Sequence, residues 1–281
     1  MNPSTQILFI SHGGGPMPLL DDPNHQEMVV HLQELAGRLP RPSAILVISA
    51  HWEAPLPTIT SGLTPGLIYD YSGFPAESYE IQYPCPGAPE LAQQVFNALA
   101  DAGIAAQSDA DRGFDHGVFV PLKLMYPEAD IPCVQLSLVN NLHPQTHLAI
   151  GSALRTLDYD NLLVIGSGFT FHNLQIFFAP HTPEIQTKNQ AFEDWLEDTC
   201  TNSTLAEAER CHRLLHWAQA PHARFCHPRE EHLLPLHVCY GMASEASDDH
   251  ISATIMGKQT SMYCWSNRLS HPEILWYSSY T

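Results

Sequence analysis

Apolar runs of strand length recur through the first half of the chain, with stretches of helical period between them. Residues 6–10 and 44–50 read as buried strands, and 58–61 as a shorter one. Between the first two, Asp22-Pro23 reads as an N-cap with proline at the first helical position. Met28, Leu32, Leu35 and Leu39 then form one apolar stripe, and Pro40 and Pro42 end that helix. A second helix is expected over about 88–102, with Leu91, Val95 and Leu99 on one face and Gly103 as its stop. Residues 132–138 and 162–165 are further core strands, with a helix over 143–157 between them. Beyond these the period is mostly helical, over about 184–200, 204–217 and 230–243, and 252–255 and 261–265 read as closing strands. Residues 63–86, rich in Pro, Gly and Tyr, read as a long ordered loop of the kind that borders a site.

Strands alternating with helices predict an α/β fold: a single domain with a central, largely parallel or mixed sheet flanked by helices on both faces. Ligands of such sheets bind beyond the carboxyl ends of the strands. A chain of 281 residues is long enough to bury a substantial core. With 44% apolar and 15% charged residues it is no disordered polymer. Its 12 Lys+Arg against 30 Asp+Glu leave a formal net charge of −18. That field repels phosphate backbones and anionic lipid, so neither nucleic acid nor a membrane surface is expected as a partner. Seven scattered cysteines with no C-x-x-C pair argue against a disulfide framework and a cysteine zinc site. No apolar run is long enough to span a bilayer and the N-terminus lacks a basic n-region, so a cytoplasmic protein is expected.

Candidate chemistry lies in five histidines, each in its own short motif: His12 in Ser11-His12-Gly13-Gly14-Gly15-Pro16, His51 in Ser49-Ala50-His51-Trp52, His116 in Phe114-Asp115-His116-Gly117, His172 in Phe171-His172-Asn173-Leu174, and His232 in Glu231-His232-Leu233-Leu234-Pro235. Imidazole ligates divalent transition metals and titrates near neutral pH. His12, His51 and His172 directly or closely follow predicted strands, so one topology brings them to one sheet edge. His232 is expected in the first turn of a late helix opened by Pro228, Glu230 and Glu231, with His237 a weaker alternative ligand. His116 is either a substrate-side donor or a cap of the helix over 117–125. The triple glycine has neither G-x-G-x-x-G spacing nor a G-K-[ST] ending, and is read as leaving room beside a metal. Ser11, Ser49 and Ser167 lie in no G-x-S-x-G elbow. Three histidines and a water describe a zinc hydrolase as well as any other metal enzyme.

Further segments join these motifs in order: Pro40-Arg41-Pro42, Gly73-Phe74-Pro75, Tyr83-Pro84-Cys85-Pro86-Gly87, Met125-Tyr126-Pro127 and Val134-Gln135-Leu136-Ser137. The ordered set, over about residues 6–262, resembles the class III extradiol ring-cleaving dioxygenases, the superfamily of the catalytic subunit of protocatechuate 4,5-dioxygenase. Within it the chain is similar to the single-chain 4,5-DOPA extradiol dioxygenase branch. The resemblance implies that His12, His51 and His232 ligate the metal, that His172 is the acid/base and that His116 lines the substrate pocket. It implies Fe(II) in catalysis, with Zn(II) a possible occupant of purified protein, and a small catecholic substrate opened by O2 beside its hydroxyls. Residues 1–268 would form the catalytic domain and 269–281 a C-terminal extension. Two departures stand out. Many relatives have Gly-Ser-Pro where this chain has Gly13-Gly14-Gly15-Pro16, and the wider superfamily uses a Glu as third ligand, which keeps Glu230 and Glu231 in view. A zinc-dependent hydrolase and a non-catalytic binding protein of the same fold are the alternatives. Arg112, Arg224 and Arg229 are conceivable partners for a substrate carboxylate, and the oligomeric state is left open.

Overall fold

The computed structural model describes residues 2, 4–180 and 182–266. The apolar runs assemble one sheet: β1 (Gln6–Ser11), β2 (Ala44–Ala54), β3 (Thr58–Thr60), β4 (Gln107–Asp109), β5 (Cys133–Val139), β6 (Leu162–Gly168), β7 (Asp249–Ile255) and β8 (Lys258–Trp265). They stand in the order β4-β3-β5-β2-β6-β1-β8-β7. Parallel pairs join β5 to β2, β2 to β6 and β6 to β1 at the centre, whereas β8 runs antiparallel to both β1 and β7. The sheet is mixed. Strands β1, β5 and β6 are buried at every position, as strands of a sheet covered on both faces are.

The covering helices are α1 (Gln26–Arg38), α2 (Pro89–Asp101), α3 (His116–Met125), α4 (Pro144–Leu154), α5 (Leu174–Phe177), α6 (Pro183–Thr201), α7 (Glu207–Leu215), α8 (Ala223–Cys226) and α9 (Leu234–Ala243). Neighbouring residues of β6 show the two layers, because successive strand side chains point to opposite faces. The Ser167 hydroxyl donates to the Gly117 carbonyl at the start of α3. A Cβ on Gly166 would instead meet Cys239 Sγ of α9 at 2.5 Å. Helix α9 packs on β6, β1 and β2 and against α4, while α6 covers β8 and α1 lies against α3 and β7.

Expected and observed elements agree closely in the first half. Met28, Leu32 and Leu35 are the buried stripe of α1, and the Asp22 side chain accepts from the Asn24 N–H as expected of an N-cap. The turn it caps, Pro23–His25, is a 3-10 turn leading into α1. Two expectations are corrected. Strand β2 runs on to Ala54, so His51 sits inside the strand, within the stretch between Ile48 and Glu53 where the register against β5 shifts. His232 stands two residues before α9 rather than in its first turn. Strand β4 went unpredicted because Gln107, Ser108 and Asp109 are polar and partly exposed. The four-residue helices α5 and α8 are too short for periodicity to show. Residues 269–281, expected as an extension, lie outside the described residues. Among the described residues no helix is long and apolar enough to cross a membrane, and the seven cysteines are all free thiols.

Candidate metal centre

Backbone hydrogen bonds deliver four of the histidines to the carboxyl end of the central strands. His12 directly follows β1, and its N–H reaches the Gly168 carbonyl at the end of β6 (3.4 Å). His51 rides on β2 with its N–H on the Ser49 hydroxyl (3.2 Å). Gly168 carries no side chain because the His232 carbonyl lies against it; the Phe169 N–H bonds that same oxygen at 2.9 Å. The His172 N–H bonds the Cys226 carbonyl at the end of α8 (2.9 Å). Arg229 ties the segment before His232 to β2 through two bonds to Glu53, at 2.6 and 2.7 Å.

The outcome is a cluster of ring nitrogens. His51 Nε2 stands 3.0 Å from His12 Nε2 and 3.3 Å from His232 Nε2. The opposite nitrogens tell where the protons are. Ser167 gives its hydroxyl proton to Gly117, so its oxygen accepts from His12 Nδ1 at 3.1 Å. Glu231 Oε1 accepts from His232 Nδ1 at 3.1 Å, and Asp70 Oδ2 stands 3.4 Å from His51 Nδ1. With each proton on Nδ1, three Nε2 lone pairs face one another with no hydrogen between them. Such lone pairs repel, and a cation among them satisfies all three. Two nitrogens each about 2.0–2.1 Å from one ion, at right or tetrahedral angles, stand roughly 2.8–3.4 Å apart. The donor set fits a divalent transition metal.

Electrostatics agree. Burial, then the neighbouring imidazoles, hold His12 and His51 well below the ordinary histidine value. Burial and the nearby His172 pull His232 down to about 3, against the opposing pull of Glu231. All three rings are therefore neutral at pH 7, with no proton competing for the metal. Burial would raise Glu231, but hydrogen bonds from His172 and His232 outweigh it and keep the carboxylate ionised. Asp70 is likewise held low, its burial outweighed by the hydrogen bond from His116.

Each of these carboxylates serves two rings. Glu231 Oε1 lies 3.3 Å from His172 Nδ1 as well as against His232, and Asp70 Oδ1 lies 2.8 Å from His116 Nδ1. Candidate donor atoms fall into two groups, each within 4.8 Å: His12, His51 and His116, and His172, Glu231 and His232. The His51–His232 contact joins them. Within this double group His116 is tilted against His51, ring centroids 3.9 Å apart, and His172 lies flat on His232 at 3.4 Å. Glu231 meets the Nδ1 side of its rings, away from the Nε2 cluster, and Glu230 is paired with Arg224 at 2.6 Å.

The rings open into a cavity of about 350 Å³, within the range of small-molecule sites. All five predicted histidines line it. His237 does not: both of its ring nitrogens face backbone carbonyls, of Leu233 and Leu214. The glycine run lines the cavity too, and at Gly13 close packing alone calls for glycine. A Cβ on Gly13 (φ +82°) would strike Pro18 Cγ at 2.5 Å and His25 Cδ2 at 2.9 Å, so the missing side chain there makes room for that packing. His25, unremarkable in sequence, is buried there, with Asp22 on Nδ1 (2.6 Å) and the Gly14 N–H on Nε2 (2.9 Å). Asp70, Ser167 and the orienting role of Glu231 were also missed. Asp70 was a single carboxylate in an aromatic loop, a pattern too common to single out.

The profile of the family described as the catalytic LigB subunit of aromatic ring-opening dioxygenase matches residues 6–263. The chain is 39% identical to "Dioxygenase tasH" of Hapsidospora irregularis, over 85% of this chain and 78% of that one. It is also 39% identical to the "4,5-DOPA dioxygenase extradiol" of Beta vulgaris, over 86% and 88%. A crystal structure of an uncharacterized protein from Escherichia coli K12 superposes with a TM-score of 0.75 at 29% identity, covering 93% of this chain and 99% of the other. A match across nearly the whole sheet, with the histidine cluster at its carboxyl edge, settles the kinship: the chain belongs to the LigB family of aromatic ring-opening dioxygenases, in the class III extradiol branch.

Proposed function

We propose that this protein is an extradiol dioxygenase that holds Fe(II) on His12, His51 and His232 and opens a catechol ring with O2, using His172 as its acid/base. The observation that carries the reading is the convergence of three proton-free Nε2 atoms beside a fourth histidine at the floor of one cavity. His116 is assigned to the substrate side because its Nδ1 is committed to Asp70 while its ring lines the cavity.

Bound there, the metal supplies Lewis acidity toward the catechol oxygens and redox access to O2. The protein supplies the rest. Glu231 holds the His172 proton on Nδ1, which leaves Nε2 as a base facing the cavity. His172 takes a phenolic proton from the incoming diol and holds it for return as the ring opens. Acid/base help of this kind is worth about 10²–10⁴ in rate. Asp70 orients His116 in the same manner, so that a second imidazole nitrogen is free to hydrogen-bond a substrate oxygen. Phe169, Phe177 and Met256 wall the cavity and keep water from these groups. Both atoms of O2 end in the product, and the protein finishes the cycle with the protons it began with.

Zinc binds three imidazoles more tightly than Fe(II) does, so the test loads Fe(II) anaerobically. Catechols are then added with O2, following oxygen uptake and the yellow ring-opened product. One O2 consumed per ring opened is the expected result. Hydrolytic activity with Zn(II) and no need of O2 would overturn the reading.

A further inference from the structure

Among the described residues, the five imidazoles and the Tyr71 hydroxyl are the polar side-chain groups that line the cavity. Its outer wall is built by Met17, Phe74, Leu174, Phe177, Phe178 and Met256. Tyr71 completes it, with its hydroxyl spent on the Ser78 carbonyl at 2.5 Å. Among the described residues no Lys, Arg, Ser, Thr, Asn or Gln lines this space. None of the three arginines that could have met a carboxylate lines the cavity. Arg112 lies over the Trp52 ring (4.3 Å) and beside the buried Asp115 (3.4 Å). Arg224 lies over Trp217 (4.7 Å) and on Glu230, and Arg229 is forked onto Glu53 and lies 3.3 Å from Glu231 behind the rings. In the glycine loop the Gly14 N–H is already given to His25.

A carboxylate brought onto this wall would lose its hydration and find no cationic or amide side chain among the described lining residues in exchange. It would also approach a chain of net charge −18. An alkyl or aryl group loses nothing on the same wall and gains by leaving water. Leu174 and Phe178 extend the apolar surface to the rim, where they are 60% and 80% exposed. Large exposed apolar side chains at a cavity mouth are what an apolar ligand would cover.

We infer that the preferred substrate is a catechol whose ring bears an uncharged, apolar substituent, and that the wall of Met, Leu and Phe residues disfavours catechols bearing a carboxylate or an amino-acid side chain. This rests on the ring-opening reading above. The substituent lies along α5 and the following Phe178, while the diol faces the imidazoles.

The test compares 4-propylcatechol with 3,4-dihydroxyphenylpropionate and L-DOPA on the Fe(II)-loaded full chain. Binding is measured without O2 and turnover with it. The expected result is at least tenfold tighter anaerobic binding and at least tenfold higher kcat/KM for the propyl compound, with the difference in KM rather than kcat. Phe178→Arg, at an exposed rim position, should shrink that ratio by favouring the propionate. Equal or better use of either charged catechol by the unaltered protein overturns the inference and leaves ring opening standing. An unchanged ratio in Phe178→Arg overturns the assignment of selectivity to this wall. If Fe(II) binds and no catechol is opened, the ring-opening reading falls and the inference falls with it.

Discussion

At the scale of single residues, the centre is organised by two carboxylates that never need to touch a metal. Glu231 and Asp70 each stand behind a pair of imidazoles and fix which nitrogen carries the proton. Roles can therefore be separated by substitution. His12→Ala removes a donor of the Nε2 cluster, and elemental analysis should find the metal lost. His172→Gln should keep full metal content and lose about 10²–10⁴ in turnover, the share that acid/base help contributes; near-normal ring opening would take His172 out of the mechanism. Glu231→Gln keeps the shape and removes the charge behind His232. Metal affinity should then fall roughly 10–100-fold, read by competition with a chelator.

At the scale of elements, positions fixed by close packing control the site from outside it. Gly117, in the first turn of α3, lies where a Cβ would strike the Ser49 hydroxyl and come within 3.2 Å of His51 Cδ2. Gly117→Ala should push β2 and His51 off the cluster, with weaker metal binding in a protein whose far-UV spectrum is unchanged. Helix α6 carries a different device beneath β8. The Ser261 hydroxyl donates to Glu193 Oε2 at 2.6 Å, and burial outweighs the hydrogen bonds from Ser261 and Thr170 and raises Glu193 to about 8. The folded protein thus keeps a proton at pH 7 that the unfolded chain gives up near its ordinary carboxylate value. The stability that goes with that proton is whole below the ordinary value and is lost as pH rises through about 8, up to roughly 5 kcal/mol. Glu193→Gln removes the dependence, so its melting temperature should gain on the parent protein between pH 5 and pH 8. A constant offset across that range would count against a neutral Glu193.

At the scale of the whole molecule, a metal on the proposed ligands would be a cross-link between distant parts of the chain. Its proposed ligands come from the end of β1, from within β2 and from the segment before α9, which unfolding would scatter. A ligand that binds only the folded state stabilises it by about 2.7 kcal/mol at a hundred times its dissociation constant. For a domain of this size that is roughly 5–10 °C in melting temperature. Chelation at pH 7 should lower the midpoint by that order, and reloading should restore it; an unmoved midpoint would mean that the cluster binds no ion. The net charge of −18 works in the same direction, since it draws cations toward the protein.

Much of this architecture could be read from the chain because its causes are local. Apolar runs and helical stripes marked β1, β2, β5, β6, α1 and α2, and alternation of strand with helix placed His12, His51 and His172 at one edge before any contact was known. Where a residue's role depends on which strands are neighbours, local pattern is silent. His51 lies inside β2 at a register shift against β5, and Asp70 reaches two rings only because the loop of residues 63–86 brings it to the strand ends. Ser167 orients His12 because β6 stands beside β1. The kinds of groups present were written in the order of residues; which lone pairs meet, and which carboxylate stands behind each ring, came only with folding, because those distances belong to pairs far apart in the chain.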